Sequence, residues 1–309
     1  MALGTVSLAF AAYPERPVKI VVGFSAGASS DIAARILAEE LSKTLGQRFI
    51  IENRPGAASN NAAAGVAKAE ADGYTLFLGS VANVINASIK KATSVNLLSE
   101  LKPIALVCAL PNILVVHPSV KATTVKELVA LAKSDPNKLN FGSAGVGTSP
   151  HLAGELFKMM AGIEMVHVPY GGTAQAAQDL VGGRLQLMFS PASTALPQIE
   201  AGNLRAIAWA TAARGASLPD LPTVAESGFP GFDTSIWFGL LAPLDTPDPI
   251  RDRLAEAVGR ARRSKAVLTS FRAQGIEPLE GGPAAFADYI TGETARWSEV
   301  AVKAGLIKQ

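Results

Sequence analysis

The sequence predicts an α/β protein built as two domains around a hinge, and three observations carry that expectation. Short β-branched runs alternate with longer alanine-rich amphipathic stretches, the pattern of strand–helix units in a parallel sheet. Two apolar segments, residues 103–111 and 235–243, interrupt that alternation and read as crossings between domains. The length of 309 residues suits two domains at roughly 150 residues each. Two crossings make the first domain discontinuous, residues 13–110 with 236–309, and leave 111–235 as the second. Such a pair forms a hinge, and a hinge encloses a cleft.

The elements follow in order. Val18-Lys19-Ile20-Val21-Val22 reads as the first strand. Residues 30–45 form a helix with Ile32, Ile36, Leu37, Leu41 and Leu45 on one face, closed by Gly46 as the residue beyond the cap. Phe49-Ile50-Ile51 is the next strand, 57–69 the next helix and 74–78 a third strand. Further strands are expected near 113–116, 139–141, 165–168, 185–189 and 205–209, with helices beginning near Thr124, Ser149, Thr173 and Pro191. The remainder is helical over 248–263, 265–274 and 283–305.

Residues 1–12 are apolar and give way abruptly to Tyr13-Pro14-Glu15-Arg16-Pro17. Twelve residues fall short of the roughly 20 that span a bilayer, but they match the tail of a secretory signal with Ala9-Phe10-Ala11 as a small-residue cleavage site. The usual positive start is missing, and the competing reading is a buried amino-terminal strand. No later run reaches 18 consecutive apolar residues. An exported, periplasmic protein is expected.

Composition excludes several classes. Lys and Arg total 28 against 26 Asp and Glu, a net charge of +2, and only 17% of residues are charged where soluble domains carry about 25%. There is no basic face for nucleic acid, and 49% hydrophobic content is too much for disorder. One cysteine, Cys108, excludes an internal disulfide and a thiolate zinc cluster, and reads as a small core residue. His117, His151 and His167 form no metal-ligand pair in sequence, so no metal site is expected. Trp237 and Phe238 read as hinge packing, and Arg260, Arg262, Arg263 and Lys265 as a solvated basic face.

Four strand ends run into small-residue loops that open helices. They are Gly23-Phe24-Ser25-Ala26-Gly27-Ala28-Ser29-Ser30-Asp31, Gly79-Ser80-Val81-Ala82-Asn83, Gly142-Ser143-Ala144-Gly145-Val146-Gly147-Thr148-Ser149 and Tyr170-Gly171-Gly172-Thr173. Ligands of open α/β sheets sit beyond the carboxyl ends of strands, and a helix amino terminus offers about half a positive charge and free N–H groups. Any one such loop is more often a structural turn that caps a helix; four together, long and rich in hydroxyls, point to anion binding. Gly23-Phe24-Ser25-Ala26-Gly27 also matches the G-x-S-x-G elbow of serine hydrolases, which makes a Ser25 hydrolase the competing reading. That elbow normally follows several strands, and here only about ten residues of the mature chain precede it. Gly142 to Gly147 is followed by no Gly-Lys-Ser/Thr, so it is not a Walker loop.

These residues resemble a family. Tyr13-Pro-Glu-Arg-Pro-Val-Lys-Ile-Val-Val, the loop ending in Asp31, Ile51-Glu-Asn-Arg-Pro-Gly56, Asp72-Gly-Tyr-Thr-Leu76, Gly142-Ser-Ala-Gly145, His167-Val-Pro-Tyr170 and Leu221-Pro-Thr-Val-Ala-Glu-Ser-Gly228 look like the Bug-type receptors of tripartite tricarboxylate transporters. The resemblance covers nearly the whole chain after residue 12. It implies a two-domain periplasmic binding protein of type II-like architecture, monomeric, without catalysis or cofactor, that takes a small organic acid and hands it to membrane permease subunits. A ligand sensor feeding a membrane kinase would share that architecture. By position, the ligand contacts would fall on Phe24, Ser25, Ala26, Gly27, Ala28, Ser29, Ser30, Asp31, Ser80, Asn83, Ser143, Gly147, Thr148, Ser149, Tyr170, Gly171, Thr173, Ala174 and Ser190. The chain departs from the pattern in its first loop, in Gly171 where the family often has Lys, and in Ser190 where Asp is common. Without that Asp nothing obvious pairs with a ligand amine, so an amine-free carboxylate, a dicarboxylate or an aromatic acid, is expected.

Overall fold

The computed structural model of the protein describes residues 13–89, 94–136, 138–303, 305 and 307. The signal-like stretch 1–12 lies outside the described residues.

Two sheets, each flanked by helices, make two lobes. The first sheet holds six strands in the order β11-β4-β10-β3-β1-β2. Its strands are β1 (Val18–Val22), β2 (Phe49–Asn53), β3 (Thr75–Ser80), β4 (Leu101–Leu110), β10 (Ile236–Pro243) and β11 (Glu277–Pro278). β1 pairs in parallel with β2 and β3, while β10 runs antiparallel between β3 and β4. The second sheet holds β5 (Asn112–Val116), β6 (Asn140–Ser143), β7 (Val166–Pro169), β8 (Leu187–Pro191) and β9 (Arg205–Trp209) in the order β7-β6-β8-β5-β9. Parallel β7, β6 and β8 meet an antiparallel β5. The helices are α1 (Ser29–Leu45), α2 (Asn60–Ala67), α3 (Val81–Ile89), α4 (Val125–Ser134), α5 (Ser149–Ala161), α6 (Thr173–Val181), α7 (Ala192–Glu200), α8 (Asp248–Arg263), α9 (Lys265–Ala273) and α10 (Pro283–Lys303).

The chain passes between the sheets at two places. Only Pro111 separates β4 from β5, and the return leads into β10, whose Ile236 pairs with Leu110 at the end of β4. The two passages are tied together: Asn112 Nδ2 donates to the Thr234 carbonyl at 2.6 Å, and Ser149 Oγ donates to that carbonyl at 2.8 Å. Behind them α10 folds back, and the Glu293 carboxylate accepts from the indole N–H of Trp237 at 2.9 Å and of Trp297 at 3.0 Å. Trp237 therefore packs at the crossing, as its sequence position suggests.

Most elements follow the hydrophobic pattern. The buried face of α1 is Ala33, Ala34, Leu37, Ala38 and Leu41, and Gly46 ends it in the left-handed conformation with its N–H on the Ser42 carbonyl. The stretch expected as a helix from 57 instead opens with a 3₁₀ turn, Ala57–Ser59, whose residues all have positive φ. That turn is pressed onto the end of β1, where a side chain on Gly23 would collide with Ser59. The basic cluster on α8 is not all solvated. Arg262 is 4% exposed and donates to the carbonyls of Leu106 and Leu279, bridging α8 to β4 and to the segment after β11. Cys108 is buried. Among the described residues no helix is long and apolar enough to cross a membrane.

Candidate ligand-binding cleft

The ends of β1 and β3 in one lobe face the ends of β6 and β8 in the other, so the four small-residue loops meet across the hinge. They line two adjoining chambers open to solvent. The inner one is lined by Phe24, Ala28, Ser29, Ser30, Ser80, Val81 and Ala82 from the first lobe. The second lobe adds Ala144, Thr148, Ser149, Pro150, Thr173 and Pro191, and β10 adds Ile236 and Phe238. The outer one lies between Ser25, Ala26, Gly27, Ala28, Ser29 and Ile32 on one side and Gly171, Gly172, Thr173, Ala174, Gln175, Ser193 and Thr194 on the other. Ala28, Ser29 and Thr173 line both chambers. Among the described residues, none lining either chamber is Lys, Arg, Asp, Glu or His.

Five helices begin at this cleft: α1 after Ala28, α3 after Ser80, α5 after Thr148, α6 after Gly172 and α7 after Pro191. At α3 the Asn83 side chain accepts from Ser80 N–H; at the other four the residue before the helix makes no side-chain cap bond. Thr148 could serve as a cap, but its Oγ1 donates to the Gly145 carbonyl at 2.7 Å instead. The loops reach these starts through Gly27 at φ 80° and Gly147 at φ 81°, a conformation that disfavours any side chain. Uncapped starts leave backbone N–H groups available to an anion.

Several expected contact residues stand behind the cleft wall. Asp31 turns into its own loop, where its carboxylate accepts from Gly27 N–H at 2.9 Å, Arg35 Nε at 2.9 Å and Asn53 Nδ2 at 3.0 Å. Burial would raise the Asp31 pKa, but those hydrogen bonds hold it below the ordinary aspartate value. Asn83 Oδ1 accepts from Ser80 N–H at 3.1 Å and fixes the start of α3. Tyr170 sends its hydroxyl to Asp179 on α6 at 2.7 Å, and burial with that carboxylate pushes its pKa up to about 12. Ser190 is 1% exposed, within β8. Two buried polar atoms near the cleft, Ser30 Oγ and Asn83 Nδ2, have no hydrogen-bond partner in the protein.

Ser143 and Gly147 belong to a histidine cluster under the third loop. Ser143 Oγ lies 2.7 Å from His167 Nε2, and Gly147 N–H donates to His151 Nδ1 at 3.2 Å. The two imidazoles face each other with centroids 4.1 Å apart. Burial, with Lys158 adding to it, pushes His151 down to about 4. Burial and the neighbouring His151 push His167 down to about 4 as well. Both are neutral at pH 7 and act as loop supports. His117 is engaged with Ser119 at 2.7 Å, so the three histidines are held elsewhere and none serves Ser25 as a base.

The apolar part of the cleft wall is Val81, Ala82, Ala144, Pro150, Pro191, Ile236 and Phe238. Val81, Ala82 and Ala144 belong to the candidate loops but not to the expected contacts; Ile236 and Phe238 lie in the second crossing segment, where Phe238, expected as hinge packing, lines the cleft instead.

The chain matches the tripartite tricarboxylate transporter family receptor over residues 33–306. It is 35% identical over 295 residues to Protein BugT of Bordetella pertussis, covering 95% of this chain and 90% of that protein. Among solved structures it is similar to Rpa4515 of R. palustris with adipate, at 37% identity and a TM-score of 0.90, covering 95% of this chain and 98% of the other. MatC of Rhodopseudomonas palustris with bound malate matches at 32% identity and a TM-score of 0.86, covering 93% and 99%.

Proposed function

This chain belongs to the tripartite tricarboxylate transporter receptor family, and from that membership we propose that its interdomain cleft captures a small organic carboxylate in the periplasm for delivery to the permease subunits of such a transporter. It is a solute receptor and not an enzyme, as its family and structural relatives are. The hydrolase reading of Ser25 falls with that membership. The lobe of residues 13–110 and 236–309 and the lobe of 111–235 act as domains that close on the ligand about the paired passages at Pro111 and Thr234. The receptor works as a monomer.

The observation that supports the ligand class is the convergence of four uncapped helix starts on a cleft with no charged residue among the described residues that line it. An anion held there takes its hydrogen bonds from backbone N–H groups and hydroxyls, with helix dipoles supplying the positive field. Phe24 to Ser30, Ser80, Thr148, Ser149, Gly171, Thr173 and Ala174 form the contact surface in this reading. Asp31, Asn83, Ser143, Gly147, Tyr170 and Ser190 support it from behind. Relatives whose structures hold adipate and malate agree with a carboxylate ligand.

A thermal-shift screen of the purified protein over mono-, di- and tricarboxylates tests this. A cognate acid at 100 times its Kd stabilises the protein by about 2.7 kcal/mol. A flat screen across all three classes overturns the proposal.

A further inference from the structure

We propose that Arg296 on α10 is a positioning residue for capture: it straps the return passage to the first lobe and so holds both lobes in the arrangement that lines one chamber. The inference rests on the receptor reading above and adds to it a control that lies outside the cleft. The return passage and β10 divide the hinge into two faces. Ile236 and Phe238 line the inner chamber, while Ser235 lines a groove on the opposite side with Asp233, Tyr289, Glu293 and Arg296. Alternation along the strand puts Trp237 on that rear face too, where its indole N–H reaches Glu293.

Consecutive carbonyls of the return passage are gripped from opposite lobes. The Thr234 carbonyl accepts from Asn112 Nδ2 and Ser149 Oγ, and Thr234 N–H and Oγ1 donate to the Ala210 carbonyl at 2.8 Å and 2.9 Å, which fixes Thr234 to the second lobe. The neighbouring Asp233 carbonyl accepts from the Arg296 guanidinium. Arg296 in turn is fixed to the first lobe. Its Nη1 donates to Glu293 Oε1 at 3.0 Å, and its guanidinium carbon lies 4.9 Å from the ring centroid of Trp297. The other oxygen of Glu293 accepts from the indoles of Trp237 and Trp297. α10 also packs against α3 and α5, cleft helices of opposite lobes, with Ser298 Oγ 2.9 Å from Ser88 Oγ on α3. Bending at Pro111 and Ser235 carries Asp233 away from α10 with the second lobe. The Arg296 bond is therefore made when the lobes stand together and lost when they part. A charge-assisted bond of this kind weights the population toward the arrangement that can hold a ligand from both sides, and apparent affinity falls as that population falls. One planar guanidinium serves the carboxylate and the carbonyl at once, which a lysine cannot do.

The first arm of the test needs no ligand. Cys108 is the sole cysteine and is buried, so nitroxide labels report cleanly from Lys68→Cys just after α2 and Lys133→Cys on α4. Both positions are exposed, stand on different lobes and line neither chamber. The distance distribution between the labels, read by pulsed electron resonance on the full chain, should broaden in Arg296→Met relative to the parent, with Arg296→Lys in between. The second arm is calorimetric titration of the unlabelled proteins with adipate and with malate. For whichever acid the parent binds, Arg296→Met should weaken affinity by about five-fold or more and Arg296→Lys by less. Thermal melts check folding, and Arg296→Lys decides if Arg296→Met does not fold. An unchanged distance distribution overturns the strap and leaves the receptor reading standing. A broadened distribution with unchanged affinity overturns the role in capture. With a parent that binds neither acid, the unliganded distances still support or overturn the strap, and the failure counts against the carboxylate reading alone.

Discussion

Four of the five helices that begin at the cleft have no side-chain cap, whereas α4 and α9 away from it do. α3, whose Asn83 accepts from Ser80 N–H, and α2, whose Ser59 makes no cap bond, are exceptions on either side. At α4 the Thr124 hydroxyl accepts from Glu127 N–H at 3.2 Å, and the Glu127 carboxylate reaches back to Thr123 N–H at 2.7 Å. At α9 the Ser264 hydroxyl accepts from Val267 N–H at 3.2 Å. Around the cleft, α1, α5, α6 and α7 begin on Ala28, Thr148, Gly172 and Pro191 with no such bond. Far from the cleft α8 also lacks a side-chain cap, but Asp248 in its first turn complements the dipole, paired with Lys102 at 3.0 Å. None of the four uncapped cleft helices except α1 has an acidic residue in its first turn, and the one in α1 is Asp31. A cap from the chain's own side chains stabilises a helix and closes its N–H groups to anything else. The four uncapped cleft helices forgo that stabilisation and keep their donors.

The sharpest way to break this contrast is to cap a cleft helix. Ala28 sits at φ −70° and ψ 159°, suited to an N-cap, and lines both chambers. Ala28→Asp should stabilise the ligand-free protein by about 1 kcal/mol as a new cap. The same carboxylate would occupy the donors and repel a ligand anion, so affinity should fall at least 100-fold, about 2.7 kcal/mol. Urea unfolding and calorimetry on one preparation read both signs. Loss of stability together with unchanged affinity would show that the start of α1 takes no part in binding.

A second prediction concerns what supports the loops. His151 and His167 are held neutral in the fold, with pKa values of about 4 against 6.5 for the free side chain. As pH falls from 6.5 toward 4 the unfolded chain takes up protons that the folded chain refuses, so stability declines through that window and is level above it. Protonation of His151 would also turn its Nδ1 from acceptor to donor and break the bond from Gly147 N–H. The charged groups facing the pair are Glu155 and Lys158 on α5. Affinity should therefore fall alongside stability as pH approaches 4. In the double variant His151→Asn/His167→Phe, which keeps an acceptor at 151, the decline should be shallower than in the parent between pH 6.5 and 4. Equal slopes in urea midpoints would remove the histidine pair from this account.

The sequence made the strand–helix alternation legible because β1, β2 and β5 are β-branched runs, β8 is a short apolar run, and the helices between them have an apolar stripe. The starts of α4, α5 and α6 were readable from Thr124, Ser149 and Thr173 for the same local reason. The start of α3 was marked by Gly79-Ser80, but as a loop, whereas β3 runs to Ser80 and the helix follows it directly at Val81. The cleft loops could be found, yet which side chains face the ligand could not. Asp31 and Tyr170 belong to loops rich in contact residues, but hydrogen bonds to Gly27 and Asp179 turn them away. Arg262 reads as surface charge until β4 and the segment after β11 bring carbonyls over it. Ile236 and Phe238 reach the cleft from more than 200 residues beyond Phe24. Long-range closure of that kind leaves no local pattern.

The smallest effect is expected where the contrast is tested from its other side. Thr124→Ala removes the hydroxyl that accepts from Glu127 N–H, and Glu127 loses its reciprocal geometry. The cost should be about 1 kcal/mol of stability. Thr124 lines neither chamber, so ligand affinity should stay within two-fold of the parent. Stability changes of about equal size from the capping changes at α4 and α1 are compatible with any fold; unequal effects on affinity are what the contrast requires. If Thr124→Ala weakened binding ten-fold while the protein stayed folded, helix capping and ligand capture could not be assigned to separate parts of the second lobe. The ligand would then be reading the rigidity of the whole lobe, and the uncapped starts at the cleft would lose their particular role.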